Sequence, residues 1–360
     1  MHAPRAAAGP VPEPVEQAAL KARVERELER FVAVEVEALL SVDEDLAPLA
    51  DVLRAVTARG KRLRSAFCYW GWRAAGQPDS DALVRAAASM ELVHAAAVVH
   101  DDLIDDSSLR HGRPTAHVAL REVFADGPRR TARARSLAML AGDLLMSWAG
   151  QLFTGCGLPA AYLAQANDLW RVLARELIAG EALEILHTAT EPDVRQSLKV
   201  IRYKTAKYTV EHPLHLGAAL AGAGLELRDV FSDYGLPLGE AFQLRDDLLG
   251  LFGEPATTGK ANTDDVTGAR PTALIALARQ SATPAEHRAL MGLLGRSTLT
   301  PDQLARVRAI VQRTGAHTRV EDMITERVTL ATSALRGVGL PRPAHQALTH
   351  LASAATARQD

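Results

Sequence analysis

Three carboxylates close the apolar run Ala95–Val99: Asp101, Asp102 and Asp105. On a helix, Asp101 and Asp105 are four residues apart and Asp102 and Asp105 three, so all three project from one face. No basic residue stands between them. Holding three carboxylates together costs electrostatic energy unless a cation is shared. Hard oxygen donors at this spacing suit Mg2+, which keeps several waters and bridges to phosphates. An acidic helix end facing water accounts for the same residues. A second cluster shifts the balance. The stretch Phe242–Gly250 again closes a largely apolar helical run with an aspartate pair, Asp246 and Asp247. Two such pairs facing each other across a bundle can hold several Mg2+ between them, and the ligand suited to that site is a diphosphate.

The elements that must position these residues read as helices. The chain has 360 residues, 48% hydrophobic and only 4% aromatic, with alanine and leucine dominant. That composition favours closely packed helices over β-sandwiches. The net charge of −2 indicates no general attraction to nucleic acid or to an anionic membrane. Two cysteines, Cys68 and Cys156, form no motif. The N-terminus lacks a long apolar segment, and no stretch of about 18 uncharged apolar residues occurs, so neither a signal peptide nor membrane insertion is expected and the expected location is cytoplasmic. Residues 1–14, rich in Ala and Pro, read as a disordered tail, and 15–360 as a single all-helical domain. Helical patterns cover 15–40, 46–58, 81–105, 129–153, 163–186 and 226–252. A kink is expected at Pro213. Further amphipathic helices after Pro271, at about 272–280, 285–294, 301–314, 316–336 and 343–357, offer packing and no evident chemistry.

With these motifs in view, the chain resembles the trans-isoprenyl diphosphate synthases, the polyprenyl synthetase family. The likeness rests on an ordered set: Gly60-Lys61-Arg62-Leu63-Arg64, the segment from Glu91 to Asp105 with His94 and His100, Leu109 to Thr115, Gly142-Asp143, Lys204-Thr205, Gln243 to Asp247, and Gly259-Lys260. It implies one large helical bundle around a central apolar cavity. It also implies Mg2+-dependent condensation of isopentenyl diphosphate with allylic diphosphates, with up to three ions and a homodimer. By the same resemblance, Asp101, Asp102, Asp105, Asp246 and Asp247 bind metal. Arg110, Lys204, Thr205, Gln243 and Lys260 bind the allylic diphosphate. Lys61, Arg64, His94 and His111 bind isopentenyl diphosphate. Read alone, Lys204 is a snorkelling surface lysine, and a histidine such as His94 is more often a satisfied core residue.

Three positions depart from the family pattern. His111 stands where a second arginine is usual, Gly250 where the second motif has its last aspartate, and Ala269 where a cation is usual. Histidine is only partly charged near neutral pH, so isopentenyl diphosphate binding through His111 is expected to be weaker or pH-dependent. Product length follows from what blocks the apolar cavity. The positions four and five before Asp101 are Ala97 and Ala96, where short-chain members often carry aromatics, so the floor moves on toward Met146 or Trp148 and the expected product is geranylgeranyl diphosphate (C20). Two other readings use similar motifs. A class I terpene cyclase lacks the isopentenyl diphosphate residues kept here as Lys61 and Arg64. A regulatory subunit of a heteromeric synthase loses first-motif aspartates, all three of which this chain retains.

Overall fold

The helix that carries the first aspartate motif, α4 (Asp81–Ile104), is buried along most of its length. Ser80 starts it: its backbone is extended, and its side chain accepts a hydrogen bond from the Leu83 N–H. The computed structural model describes residues 15–188, 190–253 and 262–356. The expected tail at 1–14 and Lys260 lie outside the described residues.

Before α4 come α1 (Val15–Leu40), α2 (Ala47–Thr57) and α3 (Leu63–Ala74). After it come a two-residue hairpin, β1 (Leu109–Arg110) and β2 (Arg113–Pro114), then α5 (Ala116–Arg121), α6 (Arg130–Thr154), α7 (Ala160–Thr188) and α8 (Val194–Val200). A π-helical stretch, Ile201–Glu211, leads into α9 (His212–Leu220) and α10 (Leu225–Phe252), which carries the second motif. The C-terminal helices are Ala273–Ser281, Pro284–Met291, Pro301–Arg313, Ala316–Ala334 and Arg342–Thr356. The molecule is all-α, as the alanine-rich, aromatic-poor composition requires.

One local feature differs from the expectation, and two others stand beside it. The kink expected at Pro213 is instead the wide π-helical run just before it; Pro213 lacks an N–H and sits in the first turn of α9. The segment between Arg110 and Arg113 is a hairpin turn. An 18-residue stretch of α4, mean hydropathy 1.5, is long and apolar enough to cross a membrane by length and composition, yet the helix carries Arg85 and Glu91, so the stretch is not uncharged, and 72% of it is buried inside the protein.

Close approach of backbones fixes the π-helical stretch. A Cβ on Gly180 of α7 would lie 2.3 Å from the Lys204 backbone nitrogen, and one on Gly239 of α10 2.4 Å from Ala206 Cα. Glycine on both sides lets the wide turn slot between α7 and α10, which delivers Lys204 and Thr205 to the end of α4. The C-terminal helices support α10. Leu244, Leu248 and Leu251 are buried in one cluster with Ala273, Ile275, Val307, Val320 and Met323. Each of those leucines contributes roughly 1.5–3 kcal/mol by leaving water. Arg245 donates to both oxygens of Glu321 at 2.5 and 2.8 Å, and Arg327 donates to Glu240 at 2.8 Å. The packing expected of these helices is what they provide against α10.

Candidate active site

Asp101 and Asp102 on the last turn of α4, and Asp105 at its C-cap, are met by three cations from three separate segments. Arg110, on β1, donates to Asp101 Oδ2 at 2.7 Å and to Asp102 Oδ1 at 2.6 and 2.9 Å. The hairpin turn returns it over α4. Its central residues His111 and Gly112 both have positive φ, 51° and 72°, the mirror-image geometry that matches strand twist. Histidine is among the non-glycine residues that tolerate this region. The Lys204 ammonium lies 2.9 Å from each of Asp101 Oδ1, Glu181 Oε2 and Glu184 Oε2. The Arg270 guanidinium donates to Asp105 Oδ2 and, at 3.1 Å, to Asp265 Oδ1.

A polar relay ties this end to the second motif. Thr205 Oγ1 donates to Gln243 Oε1 at 2.8 Å, and Gln243 Nε2 donates to Asp247 Oδ1 at 2.8 Å. Gln243, expected to reach a diphosphate, here uses its amide to hold Asp247. The two aspartate motifs, distant in sequence, therefore belong to one network that runs through α7, the π-helical stretch and the segment around Arg270.

The electrostatics follow from crowding. Burial pushes Asp247 up to about 8, with Asp265 the next cause and Gln243 pulling the other way. Burial raises Asp105 to about 6, against the pull of Arg270. Burial works against the charge of Lys204, but Asp101, Glu184 and Glu181 outweigh it and hold the ammonium well above its ordinary range. Carboxylates outnumber cations: Asp101, Asp102, Asp105, Asp247, Asp265, Glu181 and Glu184 face Arg110, Lys204 and Arg270. Among the described residues no three His, Cys, Asp or Glu side chains already converge as a metal cage. The guanidinium and ammonium groups stand between them. The donors on offer are nonetheless all carboxylate oxygen, the chemistry that suits Mg2+.

A second group lies beside the first. The Arg64 guanidinium sits over the Tyr208 ring, 4.2 Å from its centroid, and donates to Thr209 Oγ1 at 2.9 Å. The Tyr208 hydroxyl is 2.9 Å from His94 Nδ1. Burial, then Arg64 and Arg110, hold His94 well below its ordinary value, so it is neutral. The Nε atoms of Arg62 and Arg64 are buried and have no hydrogen-bond partner among the described residues. Arg62, in the left-handed region at φ 54°, is buried and donates to Thr57 O at 2.8 Å, which pins the turn that presents Lys61 and Arg64.

The remaining sequence-selected positions divide. Lys61 is exposed on that turn, and His111 is close enough for its charge to act on His94. Ala97 keeps some exposure on the face of α4 that carries His94 and Asp101, and Met146 is half-buried. Ala96 is fully buried, and Trp148 packs edge-to-face on Phe31 of α1 at 6.2 Å, so both belong to the packed core. His100 abuts α6, where a Cβ on Gly142 would lie 2.2 Å from its Nε2. Sequence reasoning overlooked Glu181, Glu184, Asp265, Arg270 and Tyr208. Only Glu181 and Glu184 left a signal, two carboxylates three residues apart near the C-terminal end of α7.

Comparison with known proteins agrees with this geometry. The pattern of the polyprenyl synthetase family matches residues 47–311. A geranylfarnesyl diphosphate synthase of Aeropyrum pernix is 32% identical over 73% of this chain and 79% of its own. A (2E,6E)-farnesyl diphosphate synthase of Mycobacterium bovis is 31% identical over 79% of this chain and 76% of its own. The solved geranylgeranyl pyrophosphate synthase of Corynebacterium glutamicum, complexed with isoprenyl diphosphate and magnesium, superposes with a TM-score of 0.90 at 33% identity, covering 94% of this chain and 99% of that one.

Proposed function

Because this chain belongs to the polyprenyl synthetase family and is a trans-prenyltransferase, we propose that it condenses isopentenyl diphosphate with allylic diphosphates, with Mg2+, to give geranylgeranyl diphosphate. One observation carries the reading: the Lys204 and Arg270 cations and the Thr205–Gln243–Asp247 relay join two aspartate motifs into a single oxygen-rich site. Asp101, Asp102, Asp105, Asp246 and Asp247 would hold Mg2+, up to three ions. Bound there, Mg2+ neutralises the allylic diphosphate and so weakens its bond to the prenyl carbon. Arg110, Lys204 and Arg270 turn from carboxylates to diphosphate oxygens and share the charge that develops on the leaving group. Arg64, Lys61, His111 and neutral His94 orient isopentenyl diphosphate beside them.

Product length is proposed from Ala97. This small residue on the Asp101 face leaves room for a chain longer than C15, and the relatives include synthases named for products from C15 to C45. A homodimer is proposed from the apolar residues left exposed on α6 (Met139, Leu140) and α7 (Ile178, Ile185, Leu186). The test is a product assay. Protein, Mg2+ and isopentenyl diphosphate are incubated with C5, C10 or C15 allylic diphosphates, and the dephosphorylated products are sized by chromatography. A C20 linear alcohol supports the proposal. A longer ladder keeps the reaction and moves the floor. A hydrocarbon formed from a prenyl diphosphate alone replaces the reading with a cyclase.

A further inference from the structure

The second aspartate motif is one carboxylate short in sequence, because position 250 is glycine. Position 250 lies four residues after Asp246, on the same helix face. In space the position is filled. A Cβ added to Gly250 would lie 2.4 Å from Asp265 Oδ2 and 3.4 Å from Asp265 Cγ. The Asp265 carboxylate thus stands where the side chain of residue 250 would begin. Gly250 is not among the residues of positive φ, so its backbone does not require glycine, and glycine inside a helix is less stable than alanine. A side chain at position 250 would force the Asp265 carboxylate out of the place it holds against α10.

Asp265 is held in this place by its own element, the short helix Asp264–Thr267. Val266 beside it is buried among the leucines under α10. The Gly295 N–H donates to Val266 O at 2.9 Å, and the Arg270 N–H donates to Asp265 O at 3.0 Å. The Arg270 side chain engages Asp265 Oδ1, while Oδ2 points at α10. We propose that Asp265 supplies the carboxylate missing from position 250, so that the metal-binding wall of the second motif is Asp246, Asp247 and Asp265, built from two elements instead of one helix. The proposal rests on the reading of the site as one that binds Mg2+ with a diphosphate. The alternative is that Asp265 serves only to pair with Arg270.

The experiment measures Mn2+ binding, by calorimetry and by the Mn2+ electron paramagnetic resonance signal, in the presence of inorganic diphosphate. It compares the wild type, Asp265→Asn, Asp265→Ala, Gly250→Asp, the double variant Gly250→Asp/Asp265→Ala, and Asp101→Asn as a control. Asp265→Asn keeps the shape and a hydrogen bond to Arg270. It is expected to lose about tenfold or more in Mn2+ affinity. Gly250→Asp alone brings two carboxylates into one space and is expected to lower the melting temperature. The double variant is expected to recover Mn2+ binding, since one carboxylate again fills the space. Wild-type affinity in Asp265→Asn, or a folded double variant that binds no better than Asp265→Ala, overturns the proposal. If Asp101→Asn also leaves binding unchanged, the reading of the whole site fails; if Asp101→Asn weakens it, only the role of Asp265 does.

Discussion

The Lys204 ammonium lies 2.9 Å from Asp101 Oδ1, a contact between a residue in a π-helical turn and the first carboxylate of the α4 motif. The same ammonium touches Glu181 and Glu184 of α7. Lys204 therefore sits at the centre of charge, between the helix that carries one aspartate motif and the wall that leads to the other. Replacing it with alanine is expected to lower kcat by roughly 100-fold or more, the scale seen when one preorganised group is withdrawn from a developing oxyanion. Steady-state kinetics with an allylic diphosphate check this, and circular dichroism should show unchanged helix content. A kcat within threefold of wild type would remove Lys204 from the charge-sharing set.

Asp247 gives a prediction in pH. Its folded-state pKa, about 8, lies above its ordinary value of 3.8. The folded protein therefore binds the proton more tightly than the unfolded chain between those values. Without divalent ions, stability falls as pH rises from about 4 through 8, and the loss is complete above 8. Asp247→Asn removes this ionisation. In chelator-containing buffer the variant should melt several degrees above wild type at pH 9 and near it at pH 5. Parallel melting curves at both pH values would show that Asp247 is not the group involved.

The pocket residues separate by burial. Ala97 retains exposure on the Asp101 face, whereas Ala96 has none. Ala97→Phe is expected to shorten the product toward C15 with the fold intact. Ala96→Phe places a ring in a packed core and is expected to cost about 1–3 kcal/mol of stability. Product sizing and thermal melts distinguish the two. Shortening by Ala96→Phe at unchanged stability would mean that the cavity runs along the other side of α4.

The hairpin supplies a fourth test. His111→Arg restores a permanent charge at a turn position of φ 51°. The KM for isopentenyl diphosphate should fall severalfold at pH 8, where histidine is neutral, and less at pH 6. An unchanged KM at both pH values would take His111 out of that site.

Much of this was legible in the sequence, for physical reasons. Helix periodicity and alanine content give the all-helical architecture, and aspartates three and four residues apart at the end of apolar runs give the site. Lys204 and Arg110 were found through the order of the motifs. Arg270 and Asp265 were not. Arg270 reaches Asp105 across 165 residues of chain, and no local spacing encodes such a contact. The sequence view of the 268–272 segment registered a lost cation at Ala269, yet Arg270 beside it supplies one. Gly250 read as a missing ligand because a linear motif cannot show that Asp265 fills its place. Ala96 and Ala97 looked equivalent because adjacency in sequence hides the 100° turn between them.

The most direct measurement of the central claim is anomalous diffraction from crystals grown with Mn2+ in place of Mg2+ and an unreactive thiodiphosphate analogue of the allylic substrate. Mn2+ peaks are expected between the aspartates of α4 and those of α10, with the diphosphate contacted by Arg110 and Lys204. Mn2+ on one aspartate motif alone, or a diphosphate bound away from both, would contradict it.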